Sequence, residues 1–61
     1  MKRRDLIKRL EAAGYQKVRD AGPHTVYSNG VHAESVPRHT EIHEITAKMI
    51  LKRVKAHADG Q

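Results

Sequence analysis

The sequence contains no cysteine, tryptophan or phenylalanine. Without cysteine it can form neither disulfides nor thiolate metal sites. Its longest apolar run is Met49-Ile50-Leu51, far too short to cross a membrane. The charged opening Met1-Lys2-Arg3-Arg4 is not followed by the hydrophobic segment of a signal peptide. Interfacial helices favour Trp or Phe, which are missing. We therefore expect a cytoplasmic protein that has no membrane partner.

The chain is short and carries a net positive charge. Its 61 residues suffice for one domain, residues 1–61, and a chain of this size buries only about 60% of its unfolded surface. Twelve Lys and Arg against seven Asp and Glu leave a formal charge of +5. So dense a positive field favours nucleic acid or another acidic partner over a surface that only confers solubility.

Two segments have the apolar periodicity of helices. Residues 2–13 predict the first helix, which should end before Gly14, a natural left-handed terminator. Residues 43–57 predict the second. The first apolar stripe consists of Leu6, Ile7, Leu10 and Ala13, and the second of Ala47, Ile50, Leu51, Val54 and Ala58.

Between the helices the sequence predicts three strands, at residues 15–19, 24–28 and 31–36, with a turn at 20–23. Asn29-Gly30 between two β-rich runs is a strong hairpin signal. A two-residue turn there would pair Ser28 with Val31, Val26 with Ala33, and His24 with Ser35.

That hairpin would divide its side chains between two faces. One face would carry His24, Val26, Val31, Ala33 and Ser35, and the other Thr25, Tyr27, His32, Glu34 and Val36. The first is more apolar by count, whereas Tyr27 and Val36 favour burial of the second, so the pattern leaves open which face meets the helices. The fold class expected is α+β, a three-stranded antiparallel sheet with two helices on one face. The order α-β-β-β-α is that of double-stranded RNA-binding domains.

The five histidines differ in context. His32, just after the turn, is expected to be a solvated strand residue, and His57 to interact with the dipole of the second helix. His39 and His43 have the spacing of a metal-ligand pair on a helix, but no third ligand has matching spacing, so we expect no metal. His24 follows Gly-Pro at a strand start, where the backbone is stiff. From the sequence alone a structural or merely exposed histidine is still favoured there.

Cleavage of RNA without a metal needs a base for the 2′-hydroxyl proton or an acid for the leaving 5′-oxygen. An imidazole, with an ordinary pKa of about 6.5, can serve as either at neutral pH. Cationic groups must stabilise the charge that develops on the phosphorus oxygens. Candidates are Lys17, Arg19, Arg38 and the helix lysines, and the sequence does not choose among them.

Six segments of the chain form a set whose order and spacing are more specific than any one of them. They are Lys2-Arg3-Arg4-Asp5-Leu6-Ile7, Leu10-Glu11, Gly14-Tyr15, Gly22-Pro23-His24, Val36-Pro37-Arg38-His39-Thr40-Glu41-Ile42 and Ile50-Leu51. Together these segments resemble the HicA family, the small toxins of bacterial HicA–HicB toxin–antitoxin systems. The similarity extends over nearly the whole chain.

The resemblance implies a domain of the double-stranded RNA-binding type that acts as an mRNA interferase, an endoribonuclease that requires no cofactor. It implies that His24 is the catalytic residue and that a HicB-type antitoxin binds the toxin and covers its active site. The residues then expected to bind RNA are Lys17, Arg19, Arg38, His39, Lys48 and Lys52.

Two features depart from the family pattern. Pro23 stands where the family often has Ser, which removes a hydroxyl and a backbone donor beside the active site. The Asn29-Gly30 turn is tighter than the family's usual hairpin loop. The main alternative function is a non-catalytic RNA-binding module that recognises shape and phosphates. A DNA-binding repressor ranks lower, because the helices are too far apart in sequence for a helix-turn-helix.

Overall fold

The computed structural model describes the backbone of residues 1–59 and the side chains of residues 1–57. Its elements follow one another as α1 (Arg3–Ala12), β1 (Gln16–Ala21), β2 (His24–Ser28), β3 (Ala33–Pro37) and α2 (Glu44–Asp59). The strands form one antiparallel sheet with β2 in the centre. This confirms the predicted α+β class and element order, which are compatible with a fold like that of double-stranded RNA-binding domains. In the described part of the chain, no helix has the length and apolarity needed to cross a membrane.

The first helix ends where its sequence predicts a terminator. Gly14 has a φ of +90°, which is favourable for glycine alone. Its N–H donates to the Glu11 carbonyl (3.0 Å), and the Tyr15 N–H donates to the Leu10 carbonyl (2.9 Å). These two bonds make a Schellman motif, whose usual apolar contact is supplied here by Leu10 and Tyr15, both buried in the core. The motif thereby turns the chain back into the core.

The hairpin between β2 and β3 has a different register from the predicted one. Four residues, 29–32, separate the strands, whereas the sequence predicts two. The pairing prediction was wrong by two residues on β3. The observed pairs are Ser28 with Ala33, Val26 with Ser35, and His24 with Pro37.

The Asn29 side chain explains this shift. Its Oδ1 accepts the backbone N–H groups of Val31 (2.9 Å) and His32 (2.7 Å). The backbone N–H of Asn29 donates to the His32 carbonyl (3.1 Å). Asn29 therefore organises the loop from its first position instead of occupying a central turn position. Gly30 takes the positive φ of +93°, and the turn moves one residue further along the chain.

A shift of two residues keeps the side chains of β2 and β3 on their predicted faces, whereas Val31 and His32, predicted to be strand residues, lie in the loop. One face, called here the helix-side face, consists of Lys17, Asp20, Thr25, Tyr27, Glu34 and Val36. The other, called the open face, consists of Gln16, Arg19, Ala21, His24, Val26, Ser28, Ala33, Ser35 and Pro37. Tyr27 and Val36 join the hydrophobic core with residues of both helices, including Leu6, Leu10, Ala47, Ile50 and Val54. The structure thus settles which face the helices cover. Ala58, predicted for the stripe of α2, lies outside the described side chains.

A charged pair also lies beneath the helices. Glu34 is buried, and its carboxylate accepts from Nε of Arg53 (3.1 Å to each oxygen) and from a terminal guanidinium nitrogen (2.9 Å). This hydrogen bonding to Glu34 raises the pKa of Arg53. Burial, together with the charge of Glu34, raises the pKa of Tyr15. The pair ties β3 to α2.

Strand β1 is longer than predicted and irregular. It runs through Ala21, so Asp20 and Ala21 pair with β2 instead of forming a turn. A bulge at Val18 lies between Lys17, which pairs with Tyr27, and Arg19, which pairs with Val26. All residues of β1 are exposed.

Candidate functional site

His24 lies directly after a tight turn between β1 and β2. Ala21 pairs with His24, so Gly22 and Pro23 are the two central residues of a hairpin turn. Gly22 has a φ of +62° and proline fixes the next φ near −65°, a combination that fits a type II′ turn. The Pro23 carbonyl also accepts the Arg38 N–H (3.1 Å). The backbone at His24 is therefore held on both sides, by β1 and by β3.

On the open face, Arg19 is a cationic neighbour of His24. Arg19 and Ser35 flank Val26, the next residue on this face of β2, from the two neighbouring strands. Each is thus a diagonal neighbour of His24, a relation in which Cβ atoms lie roughly 7 Å apart and long side chains meet. Of the cations proposed from the sequence, Arg19 is the one that shares this face with His24.

The His24 ring is half-buried. Within residues 1–57, neither its nitrogens nor the Arg19 guanidinium takes part in any of the side-chain hydrogen bonds or ion pairs. The imidazole is therefore available to exchange a proton with a bound molecule, and the guanidinium to bind an anion beside it.

Lys17 and Arg38 lie instead on the helix-side face, where they surround Asp20. Its Oδ1 contacts Nζ of Lys17 (3.5 Å) and a guanidinium nitrogen of Arg38 (3.2 Å), and accepts the Thr25 hydroxyl (3.3 Å). Arg3 of α1 donates in turn to Thr25 Oγ1 (3.1 Å) and to the Pro37 carbonyl (3.0 Å). These residues, called here the Asp20 network, lie on the helix-side face at the end of the sheet where β2 begins at His24. The network consists of Arg3, Lys17, Asp20, Thr25 and Arg38.

The bulge at Val18 makes the Asp20 network possible. In a regular strand, residues 17 and 20 would point to opposite faces, because side chains alternate with a period of two. The extra residue restores Lys17 and Asp20 to the same face. Desolvation raises the pKa of Asp20, but the charges of Arg38 and Lys17 and the hydrogen bonds from Lys17 and Thr25 outweigh it. The net result is a pKa below the ordinary value.

The other residues predicted to bind RNA lie elsewhere. His39 is exposed in the connection from β3 to α2, and Lys48 and Lys52 are exposed one turn apart on α2. The structure therefore does not gather the predicted set into a single patch. Arg19 shares the open face with His24. Lys17 and Arg38 belong to the Asp20 network. Lys48 and Lys52 lie on α2, and His39 lies in the connection that precedes it.

Three of the remaining histidines, His32, His43 and His57, have structural contacts. The expectation that His32 is a solvated strand residue was wrong: it lies in the hairpin loop, is half-buried, and stacks on His57 of α2 with ring centroids 3.6 Å apart. His43 precedes α2, and its Nδ1 accepts the Ile45 N–H (3.2 Å). His39 and His43 both precede the helix and do not share a helical turn. Through residue 57, no group of three His, Cys, Asp or Glu residues could hold a metal.

Three members of the Asp20 network were not singled out from the sequence: Arg3, Asp20 and Thr25. Arg3 is separated from Thr25 by 22 positions along the chain, so only the folded arrangement joins them. Asp20 resembles an ordinary turn residue unless the bulge is known. No local pattern in the sequence marks either contact.

One comparison with known proteins identifies a family. The model of the family described as "HicA toxin of bacterial toxin-antitoxin" matches residues 3–56, which include His24, Arg19 and the whole Asp20 network. No curated protein and no solved structure matches the chain significantly.

Proposed function

Because the chain belongs to the HicA family of toxins of bacterial toxin–antitoxin systems, we propose that it is an mRNA interferase. In this proposal it cleaves RNA phosphodiesters without a metal ion, and His24 is the catalytic histidine. The observation that carries the proposal is the position of His24. It begins the central strand, held by the tight Gly22-Pro23 turn and by both neighbouring strands, and it lies on the face that the helices leave open.

The chemistry follows from what an imidazole and a guanidinium can do there. The 2′-oxygen of a ribose attacks the adjacent phosphorus, its proton passes to a base, and the 5′-oxygen leaves with a proton from an acid. The products are a 2′,3′-cyclic phosphate and a 5′-hydroxyl end. His24 supplies one of these two proton transfers, which typically contributes about 10²–10⁴-fold to the rate. Arg19, on the same face, stabilises the charge on the non-bridging oxygens.

Substrate binding extends from this centre across the basic surface. Arg19 contacts the scissile region, while Arg38 and Lys17 bind phosphates at the end of the sheet. Lys48 and Lys52 are exposed and point away from the core, so in this proposal they bind a more distant part of the RNA. His39, exposed in the connection from β3 to α2, is the sixth contact.

Membership of the family implies a HicB-type antitoxin as the protein partner. In our proposal the antitoxin covers the open face around His24 and thereby blocks access of RNA. The open face suits this role because no helix or strand within residues 1–59 packs on it.

The deciding experiment is cleavage of labelled single-stranded RNA in EDTA by wild type, His24→Ala and His43→Asn. His43→Asn is the matched control, since it removes an exposed histidine and supplies another acceptor for the start of α2. We expect wild type and His43→Asn to cut, and His24→Ala to be slower by at least about 100-fold. Circular dichroism should show the same folded state for all three.

Other outcomes refute specific parts of the proposal. Equal cutting by wild type and His24→Ala would mean that another histidine is responsible, with His39 the next to test. RNA that stays intact but bound in every reaction would indicate the non-catalytic RNA-binding module. Cutting that EDTA abolishes would disprove the metal-free mechanism.

A further inference from the structure

A second basic region lies beside α1, and Arg38 is its only lining residue with a role in the proposed function. It is a cavity of about 460 Å³ between the start of α1 and the segment that follows β3. Four of its six lining side chains are cationic, and none is a carboxylate. The lining residues are Lys2, Arg3, Arg4, Ile7, Arg38 and Thr40.

The walls of this cavity are fixed by backbone hydrogen bonds. The Arg3 N–H donates to the Thr40 carbonyl (2.8 Å), and the Ile42 N–H donates to the Met1 carbonyl (2.7 Å). The terminal amine of Met1 donates back to the Ile42 carbonyl (3.0 Å). The first residues of the chain are therefore hydrogen-bonded to the β3–α2 connection in the way that two neighbouring β-strands are. Such a cavity exists before any ligand binds, which lowers the entropic cost of binding.

The cationic groups of the cavity are only partly neutralised. Lys2 pairs with Glu41 (3.4 Å) and Arg38 with Asp20 (3.2 Å). Arg3 donates to a carbonyl and a hydroxyl, both neutral acceptors. Arg4 is exposed and, within residues 1–57, takes part in none of the side-chain hydrogen bonds or ion pairs. Four cations thus face two carboxylates, and the cavity keeps a net attraction for anions.

The type and placement of these groups favour a phosphate. Guanidinium groups match phosphate oxygens with paired, charge-assisted hydrogen bonds, and three of the four cations are arginines. The cavity also lies at the end of the sheet where β2 begins at His24, on the helix-side face. Arg3 binds the carbonyl of Pro37, the residue that pairs with His24, and Arg38 follows directly. An RNA strand that passes His24 at the end of the sheet would bring another of its phosphates to this cavity.

We propose that this cavity binds a backbone phosphate of the RNA strand, with Arg4 and Lys2 as contacts in addition to Arg38. The inference rests on the proposed function for the identity of the ligand. It assigns binding roles to Lys2 and Arg4, which are not among the six residues named from the sequence as binding RNA. The proposal also gives the Asp20 network a role in binding, because the network fixes the positions of Arg3 and Arg38 and both residues line the cavity.

The test measures RNA binding apart from cleavage, in the full-length His24→Ala protein. Lys2→Ala and Arg4→Ala are introduced together, and the matched control carries Arg9→Ala and Lys55→Ala. The control pair removes the same charge from exposed residues that line a different groove, between the far ends of the helices. The Kd of a labelled single-stranded RNA is measured against salt concentration. Arg4→Gln, which preserves helix propensity, serves as a second variant.

We expect the Lys2 and Arg4 substitutions to weaken binding about tenfold more than the control pair, and to reduce the salt-dependence slope by about 0.7, the value for one phosphate contact with a single strand. Arg4→Gln should change both in the same direction. An equal effect of both pairs would overturn the proposal, since only net charge would then matter. If inorganic phosphate at matched ionic strength occupies the cavity and RNA does not, the site binds free anions and the proposal is likewise wrong.

Three further outcomes relate this inference to the proposed function. If the His24→Ala parent binds RNA with unchanged affinity after the Lys2 and Arg4 substitutions, the inference fails while the nuclease proposal stands. If those substitutions instead weaken binding of the antitoxin protein alone, the cavity recognises an acidic protein segment and the RNA assignment is overturned. If the parent binds no RNA at all, both proposals fail.

Discussion

The two faces of the sheet are built from alternating residues of the same strands, yet they differ in burial. On the helix-side face, Tyr27, Glu34 and Val36 are buried against the helices. On the open face, Arg19 and Ser35 are exposed, His24 is half-buried, and Val26 is buried. Residues that stabilise the core therefore alternate along the strands with residues of the candidate site. In so small a domain this alternation matters, because substitutions of the exposed residues on the open face need not disturb the core.

The largest effect expected from this comparison concerns two neighbours on β3. Val36→Ala should reduce the free energy of unfolding by about 2 kcal/mol, since Val36 is fully buried and truncation leaves a cavity. Ser35→Ala, on the open face, should change it by less than about 0.5 kcal/mol. Urea denaturation monitored by circular dichroism measures both. Similar losses for the two variants would show that the open face is not independent of the core.

A somewhat smaller effect is expected for the charged pair beneath the helices. Arg53→Met should lower the free energy of unfolding by about 1.5 kcal/mol, because the buried carboxylate of Glu34 loses its hydrogen-bonding partner. Changing both residues, Glu34→Leu with Arg53→Met, should cost less than the single change, since no buried charge is then left unpaired. Additive losses in this double-mutant cycle would contradict the proposed coupling.

The smallest effect is expected for Asp20, which lies on the helix-side face but is half exposed. Its pKa is below the ordinary 3.8, so folding favours the ionised carboxylate. The stability it provides is therefore present above pH 3.8 and is lost as the pH falls through the lowered pKa. Asp20→Asn should be slightly less stable than wild type at pH 7, and the difference should disappear in stronger acid.

Salt is the control for the Asp20 prediction. The ion pairs of Asp20 with Lys17 and Arg38 involve half-exposed side chains, so about 1 M salt should also reduce the difference at pH 7. A difference that grows in acid would mean that Asp20 contributes through contacts other than these cations.

Local signals in the sequence predicted much of this fold. The apolar stripes gave both helices, and Gly14 marked the end of the first because a left-handed terminator has a local signature. The strand alternation also predicted which side chains share a face. It did not decide which face is buried, because counting apolar residues gives a small Ala33 the same weight as Tyr27. Burial follows side-chain volume, so Tyr27 and Val36 determined the outcome.

The parts that the sequence did not predict depend on particular side-chain contacts. The hairpin register changed because the Asn29 carbonyl oxygen accepts two backbone N–H groups, a choice that the Asn-Gly pair alone does not reveal. The bulge at Val18 has no marker such as a glycine. At the candidate site, the resemblance to the HicA family assigned His24. That Arg19 lies on the open face while Lys17 and Arg38 lie on the helix-side face could be seen only from the observed strand pairing.

The bulge at Val18 has a consequence for how copies of this protein meet. β1 is an edge strand with exposed residues, and such edges are templates on which further strands can assemble into aggregates. The bulge interrupts the regular spacing that a docking strand would need, and Lys17 and Arg19 on either side repel an identical edge. The same irregularity that places Asp20 on the helix-side face therefore also makes β1 a poor template for the strand of another copy.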